Sequence, residues 1–459
     1  MFLVVGWLSS ASTLIVSSPV VAASFPGDFD ADDDVDGKDL AIFANNSSLM
    51  DVTPFAADFG KIGTGPVVTG TTYYASNSGN DDHDGLSPAT AWRTVGHVNG
   101  QSYLPGDAVF FKRGDTWRET LNISSSGTAE AYITFGAYGM GARPRILGSE
   151  QVPSWMAESG YTHVWRSGNT LNPPMSPGYG SHPASIFLGE MDGSVSWGRM
   201  QGIHDYNTCG TGFSSLNQDR DWCWENNHIY VYADQNPSQK YAFVEVPQRD
   251  AAVRMATIPP QEYIAIDGLE MMYTIKAGYD DGWPMDYEVK GLDIKNCHIG
   301  YVGVRGADSA MGLQIWHSDM LVQNNRIHDS GRRNVSYNVY ADSGRQHPNL
   351  VFENVVFDNN TLYHGYHTTG FDISNGAGFN DTFRNFVFKN NNIIHGTIAR
   401  SNYLCRNVLI SGSGTQVTGM DHNLYFQDDP TQRLIEEFMV SGPIGLSLQS
   451  SEEILLRAL

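Results

Sequence analysis

The sequence predicts an all-β chain wound as a right-handed parallel β-helix, and three observations carry that expectation. The first is a phrase of apolar, polar, Asn, polar, polar, apolar residues that returns four times: Ile294-Lys295-Asn296-Cys297-His298-Ile299, Val322-Gln323-Asn324-Asn325-Arg326-Ile327, Phe357-Asp358-Asn359-Asn360-Thr361-Leu362 and Phe388-Lys389-Asn390-Asn391-Asn392-Ile393. From Asn to Asn the steps are 28, 35 and 31 residues, and the series extends back by 28 to Gly268 and forward by 33 to Asn423. A period held while its length varies marks stacked repeats whose insertions sit in loops. The second is alternation of period two in short runs, such as Leu313 and Ile315 against Gln314 and Trp316, or Phe371 and Ile373 against Asp372, without an intervening helical pattern. The third is the Asn itself: one carboxamide at a fixed place in each coil can hydrogen-bond along the stack. A β-sandwich is the competing architecture, but its turns need no common period.

In chain order, residues 1–23 are almost free of charge and end in small residues before Ser24, which reads as a secretory signal peptide and an exported chain. The basic opening of such a signal is missing, since the first basic residue is Lys38; the serines at 9, 10, 12, 17 and 18 with Pro19 argue against a transmembrane anchor. Residues 24–63 carry nine acidic and two basic side chains. Within them Asp28, Asp30, Asp32, Asp34, Asp36 and Asp39 fall at the offsets from which a calcium loop supplies oxygen ligands, and Leu40 to Phe43 begins a helix-like stretch. This segment resembles a dockerin-type half EF-hand. The resemblance implies bound Ca2+ and a possible cohesin-type partner, although only one loop is convincing and a calcium-clamped spacer or an acidic linker would look alike. Residues 64–71 read as a linker, and 72–428 as the solenoid.

Composition allows a large core: 459 residues, 48 of them Gly, with 41% hydrophobic. A formal charge of −22 speaks against a nucleic-acid partner, which would need a basic stripe; a monomer is expected. Residues 151–250 interrupt the repeat. Trp155, Trp165, Trp197, Trp222 and Trp224 crowd there, either as the insertion's core or as a platform for sugar rings, and Trp224 to Tyr232 reads as a hairpin. Cys209 and Cys223 lie close enough in sequence to pair in an exported chain. Past Asp428 the phrase is lost. Residues 431–439 and 450–459 read as helical, so 429–459 is either a cap on the open end or an aberrant gene end.

Three stretches, Ser78 to Trp92, Pro105 to Arg118 and Tyr132 to Gly139, resemble the N-terminal cap and first coils of secreted bacterial right-handed β-helix proteins. That superfamily includes pectate lyase, chondroitinase B and alginate lyases as well as β-helical glycosidases. The resemblance spans about residues 72–425 and implies a carbohydrate-active protein. Its motifs are turn and core residues, so they indicate fold rather than reaction.

The alternation places Gln314, Trp316 and Asp372 on one outward face, with Ser336 or Asn338 from the coil between. Successive coils would align their side chains about 4.8 Å apart, which makes an elongated cleft suited to a polymer. His317, Arg326, Arg332, Arg333, Arg345, His347 and His367 sit around it, and residues 326–345 hold four Arg against Asp329 and Asp342. A local positive surface on an acidic chain suits a uronate polymer, because Arg pairs with carboxylates in a fork. The first functional expectation is therefore a polysaccharide lyase acting by β-elimination, with Arg332, Arg333, His317 and His367 as catalytic candidates and Trp316, Arg326 and Arg345 as substrate-binding candidates. The second is a glycoside hydrolase with Asp372 as one of two carboxyl groups and Asp342 or Glu353 as partner. The third is a non-catalytic carbohydrate-binding solenoid. His364-Gly365 and His395-Gly396, each at the same offset from the aligned Asn, read as a structural corner.

Overall fold

The structure, a computed structural model, describes residues 68–171, 185–199, 209, 212–256, 261–282, 288–303, 310–339, 350–366, 368–375 and 382–395, and the backbone of four later strands. The expected signal peptide, the calcium loop from Asp28 to Asp39, and Asp342, Arg345, His347 and His367 lie outside the described residues.

The chain is a right-handed parallel β-helix. Among the described residues its coils build three long parallel sheets of nine, eight and eight strands. Each complete coil contributes one strand to each sheet in turn, as Lys290–Lys295, His298–Val302 and Met311–Gln314 do, before the next coil adds Ser318–Gln323, Arg326–Ser330 and Arg333–Val339. The register keeps like residues stacked. Ile264, Leu292, Met320, Val355 and Phe386 align in the first sheet, and Ile266, Ile294, Val322, Phe357 and Phe388 align beside them, all facing the core. Phe357 and Phe388 stack at 5.0 Å, so burial of one apolar column per rung supplies the cohesion.

The recurring Asn phrase is the corner between the first and second sheets, and it divides labour between neighbouring positions. Asn296, Asn324, Asn359 and Asn390 have φ between 52° and 58°, a left-handed conformation that Asn tolerates better than other residues bearing a Cβ. The next residue points inward and forms the continuous ladder. Asn325 Nδ2 donates to Asn360 Oδ1 at 3.0 Å, and Asn360 Nδ2 to Asn391 Oδ1 at 2.9 Å. Cys297 takes the same place one coil earlier, its N–H donating to Asn325 Oδ1 at 2.8 Å, and it is a buried free thiol.

The insertion folds as two small antiparallel sheets, and most of its tryptophans are core, with Trp155, Trp222 and Trp224 in one apolar cluster and Trp165 packed against it. The expected hairpin is present: Trp222–Glu225 pairs with His228–Tyr232 through Asn226 and Asn227, both at positive φ, as a two-residue hairpin turn requires. Cys209 and Cys223 are disulfide-bonded. The helical reading of 431–439 is corrected, because Ile435–Phe438 is a strand paired parallel with Arg406–Ser411, while 450–459 lies outside the described residues. The open edge of the third sheet presents unpaired backbone groups, and pairing with them outweighs local helical propensity.

Candidate functional site

The outward rows of the second sheet bring a connected set of ionisable side chains together. One row runs Arg145, Glu270, His298, Arg326, Thr361 in register; the row beside it runs Leu147, Met272, Gly300, His328, Tyr363. At the rim of the same sheet Tyr273, Tyr301, Asp329 and His364 all take φ between 48° and 55°, so one backbone kink repeats from coil to coil and turns these side chains onto a common edge. Gly300 is what lets the rows close up: a Cβ there would stand 2.6 Å from the His328 ring.

The contacts form a chain. Arg145 Nε donates to Glu270 Oε1 at 2.6 Å; Glu270 Oε2 lies 3.2 Å from His298 Nδ1; His298 Nε2 faces His328 Nε2 at 2.7 Å; His328 Nδ1 lies 2.8 Å from Asp329 Oδ2, which also receives His364 Nδ1 at 3.4 Å. Aromatic rings frame it. Tyr301 stacks on Tyr273, meets His328 edge-on, and Tyr363 lies flat on His328 at 4.6 Å. Arg326, exposed, donates from Nε to Tyr363 Oη at 2.6 Å with its guanidinium over that ring.

Burial raises the cost of charge here, and the partners decide which charges persist. Burial pushes Glu270 upward, but the His298 hydrogen bond and Arg145 outweigh it and hold the carboxyl at about 2. Asp329 is likewise held well below the usual carboxylate range, burial being outweighed by His328 and His364. Burial pushes His298 down to about 4 and His328 in the same direction. It raises Tyr363 and Tyr301, so both phenols stay protonated. The result is an anionic Asp329 between two imidazoles. It accepts from His364 Nδ1 and so orients a side chain that is 40% exposed.

Among solved structures, the protein called XylC in its complex with xylose aligns with 81% of this chain at a TM-score of 0.51 and 14% identity. The chain is similar to XylC in fold. It spans 63% of that protein's length. A GH136 lacto-N-biosidase from Eubacterium ramulus aligns over 82% of this chain and 57% of its own, at 14% identity and a TM-score of 0.39, and pectate lyase Pel9A over 83% and 78%, at 13% and 0.38. No family model matches the chain, and no curated protein does.

The face expected from the sequence is the third sheet, and it is closed at the coils of Ser336 and Asp372. Its outward row runs Asn122, Arg254, Asp280, Gln314, Ser336, Asp372. Gln314 faces out as expected, but Ser336 and Asp372 are fully buried, and Asp372 forms an ion pair with buried Arg333. A carboxylate neutralised inside the fold is a structural group, not an exposed acid. Trp316 is fully buried because the alternation ends at Gln314, where the chain turns inward toward Ser318 and Ile315 and Trp316 both enter the core. His317 is also fully buried, its Nδ1 3.0 Å from Asp281 Oδ2 and its Nε2 3.0 Å from Gln261 O. Burial opposes its charge, but Asp281 beside it raises its pKa, so it pins a corner of the fold. Arg332 is half-buried, its backbone N–H on Ala310 O. Of the expected residues that are described, only Arg326 belongs to the second-sheet cluster.

Glu270, His298, Asp329 and the role of His364 escaped the sequence reading. A signal existed: counted from the corner at Gly268, Asn296 and Asn324, Glu270, His298 and Arg326 occupy the same offset, and His328 and Tyr363 share the next outward one. Asp280 carries a second signal, since burial, with Asp281 nearby, raises its pKa to about 6 on the third-sheet face. Among the described residues no group of three or more His, Cys, Asp or Glu side chains is placed to hold a metal ion, and no helix is long and apolar enough to cross a membrane.

Proposed function

We propose that this is a secreted carbohydrate-active enzyme that cleaves a uronate-containing polysaccharide by β-elimination on the second-sheet face. The observation that carries the reading is Asp329 fixing His364 beside the exposed Arg326 and the protonated Tyr363. The fold shared with XylC, solved with xylose, supports a saccharide ligand.

Each step has a group suited to it. Arg326 pairs with the uronate carboxylate and withdraws charge, which acidifies the proton on the adjacent carbon. His364 Nε2 accepts that proton, with Asp329 holding its tautomer and stabilising the imidazolium. The bond to the leaving oxygen breaks as the ring double bond forms, and the Tyr363 hydroxyl supplies the proton to that oxygen. Exchange with solvent returns the proton from His364 to Tyr363.

Hydrolysis is the second reading, favoured by Asp280, whose raised pKa is that of a general acid. Asp372 lies three rungs along that row, about 14 Å away at the strand spacing of about 4.8 Å, which is too far for a catalytic carboxyl pair. The test is absorbance near about 235 nm, expected of a conjugated unsaturated uronate, with alginate, pectate and chondroitin sulfate as substrates. His364→Ala and Arg326→Ala are each expected to lower the rate by about 10²-fold or more. Reducing ends without absorbance, lost in Asp280→Asn, would replace elimination with hydrolysis; tight binding without either product would leave a binding solenoid.

The reading extends to the N-terminal segment. Asp28, Asp30, Asp32, Asp34, Asp36 and Asp39 would hold Ca2+ and could present a surface to a cohesin-type partner. A chain starting at Val67 is expected to lose a calcium-binding isotherm and keep activity; loss of both would tie calcium to the catalytic face.

A further inference from the structure

The facing imidazoles of His298 and His328 constrain how many protons the cluster holds. Glu270 and Asp329 are both ionised, and they lie 3.2 and 2.8 Å from Nδ1 of His298 and His328. Each Nδ1 must therefore carry a hydrogen, because a bare ring nitrogen would set its lone pair against a carboxylate. That leaves both Nε2 atoms bare in the neutral rings, aimed at each other 2.7 Å apart. Two lone pairs repel at that distance, whereas it is the length of a charge-assisted hydrogen bond with one proton between them. We propose that His298 and His328 share a single proton between their Nε2 atoms, and that this shared charge, acting through Asp329, sets the proton affinity of His364.

Desolvation taken ring by ring favours the neutral form of each. For the couple, that forbids the second proton, which would set two imidazolium rings face to face. It does not remove the first, because the neutral couple has no donor to place between its nitrogens. The pair titrates as a unit, with one proton held and the next refused. The groups around it are Arg145 and Glu270 on one side, Asp329 and His364 on the other, Arg326 at the rim, and the phenols of Tyr301 and Tyr363 against the rings. With the proton in place, Asp329 divides its charge between a cationic couple and His364. Without it, Asp329 serves His364 alone, and His364 binds its proton more tightly. His298 and His328 are thus positioning residues for the base, and their shared charge weakens its hold on a proton.

The inference rests on reading His364 as the base, but its test does not require activity. The full chain is labelled with 15N-histidine, the ring nitrogens are followed from about pH 5 to 9, and His364 is assigned through His364→Gln. In the unsubstituted protein, His298 and His328 are expected to show one proton exchanging between two Nε2 atoms, with both Nδ1 atoms protonated throughout. Glu270→Gln keeps the shape but lets its amide donate to Nδ1 of His298. His298 can then carry its own hydrogen on Nε2, and the extra proton is released. The released proton and the lost Glu270 carboxylate carry opposite charges, so the His364 pKa is expected to rise by less than about one unit in Glu270→Gln. His298→Gln removes the shared proton and keeps the carboxylate, and there the rise is expected to be roughly one unit in a medium of effective dielectric about 20. An unchanged His364 pKa in both variants overturns the coupling. Independently titrating His298 and His328 overturns the shared proton. If the shift occurs but His364→Ala leaves catalysis intact, the couple stands and the elimination mechanism falls.

Discussion

Replacing Asn360 with Ala tests the claim that the inner corner ladder, rather than the Asn visible at the turn, holds the coils in register. Asn360 is fully buried and makes four side-chain bonds: Oδ1 accepts from Asn325 N and Asn325 Nδ2 at 3.0 Å each, and Nδ2 donates to Val322 O at 2.8 Å and Asn391 Oδ1 at 2.9 Å. The losses are unequal. Asn325 Nδ2 keeps Ile294 O, and Asn391 Oδ1 keeps the backbone N–H of residue 360. The Asn325 N–H is left buried without an acceptor, at about 1–3 kcal/mol, and Val322 O loses a donor worth about 1 kcal/mol. With the two weakened bonds, the total destabilisation is about 3 kcal/mol. Asn359→Gly is the control, since Gly adopts the left-handed conformation freely and the loss is one part-buried bond to Asn324, about 1 kcal/mol or less. Urea unfolding gives the global difference, and amide exchange shows whether protection falls in the coils flanking residue 360, as a nearest-neighbour solenoid requires. A loss below about 1 kcal/mol for Asn360→Ala, or one no greater than the control's, would refute the ladder argument.

Two further perturbations follow from the same geometry. Asp280 keeps its proton in the folded state up to about pH 6, against an ordinary value of 3.8; between these values the native state binds more protons than the unfolded one, so stability falls as pH rises through that window. Asp280→Asn is expected to abolish that slope and to raise stability at pH 7 by up to about 3 kcal/mol, read from urea midpoints at pH 4 and 7. Reduction of the Cys209–Cys223 bond, which closes a separation of 14 residues, is expected to cost the insertion about 3 kcal/mol and to expose its tryptophans to quencher while exchange in the coils stays unchanged.

How much of this was legible depended on whether a residue acts within its coil or between coils. The corner phrase was readable because every coil restates it, and repetition averages out local accidents. It pointed to the neighbouring Asn, however, because polarity alone does not tell a left-handed exposed corner from the inward carboxamide beside it. Period-two alternation placed Gln314 correctly and Trp316 wrongly, since alternation holds only while the strand lasts and the chain turns inward immediately after it. Asp372 has the right parity for an outward carboxylate, yet Arg333 neutralises it inside the fold.

The second-sheet face shows the same division at larger range. Glu270, His298 and His328 lie 28 and 30 residues apart in sequence and within hydrogen-bonding distance in space, and nothing local to any of them announces the contact. The sequence by itself determined the period, the solenoid and the kind of residue at each corner, because these follow from burying one apolar column with a regular backbone. Only the tertiary structure decided which polar side chains are buried and which imidazoles meet, because stacking brings together side chains whose distance is set by the winding of the chain and by one missing Cβ, at Gly300.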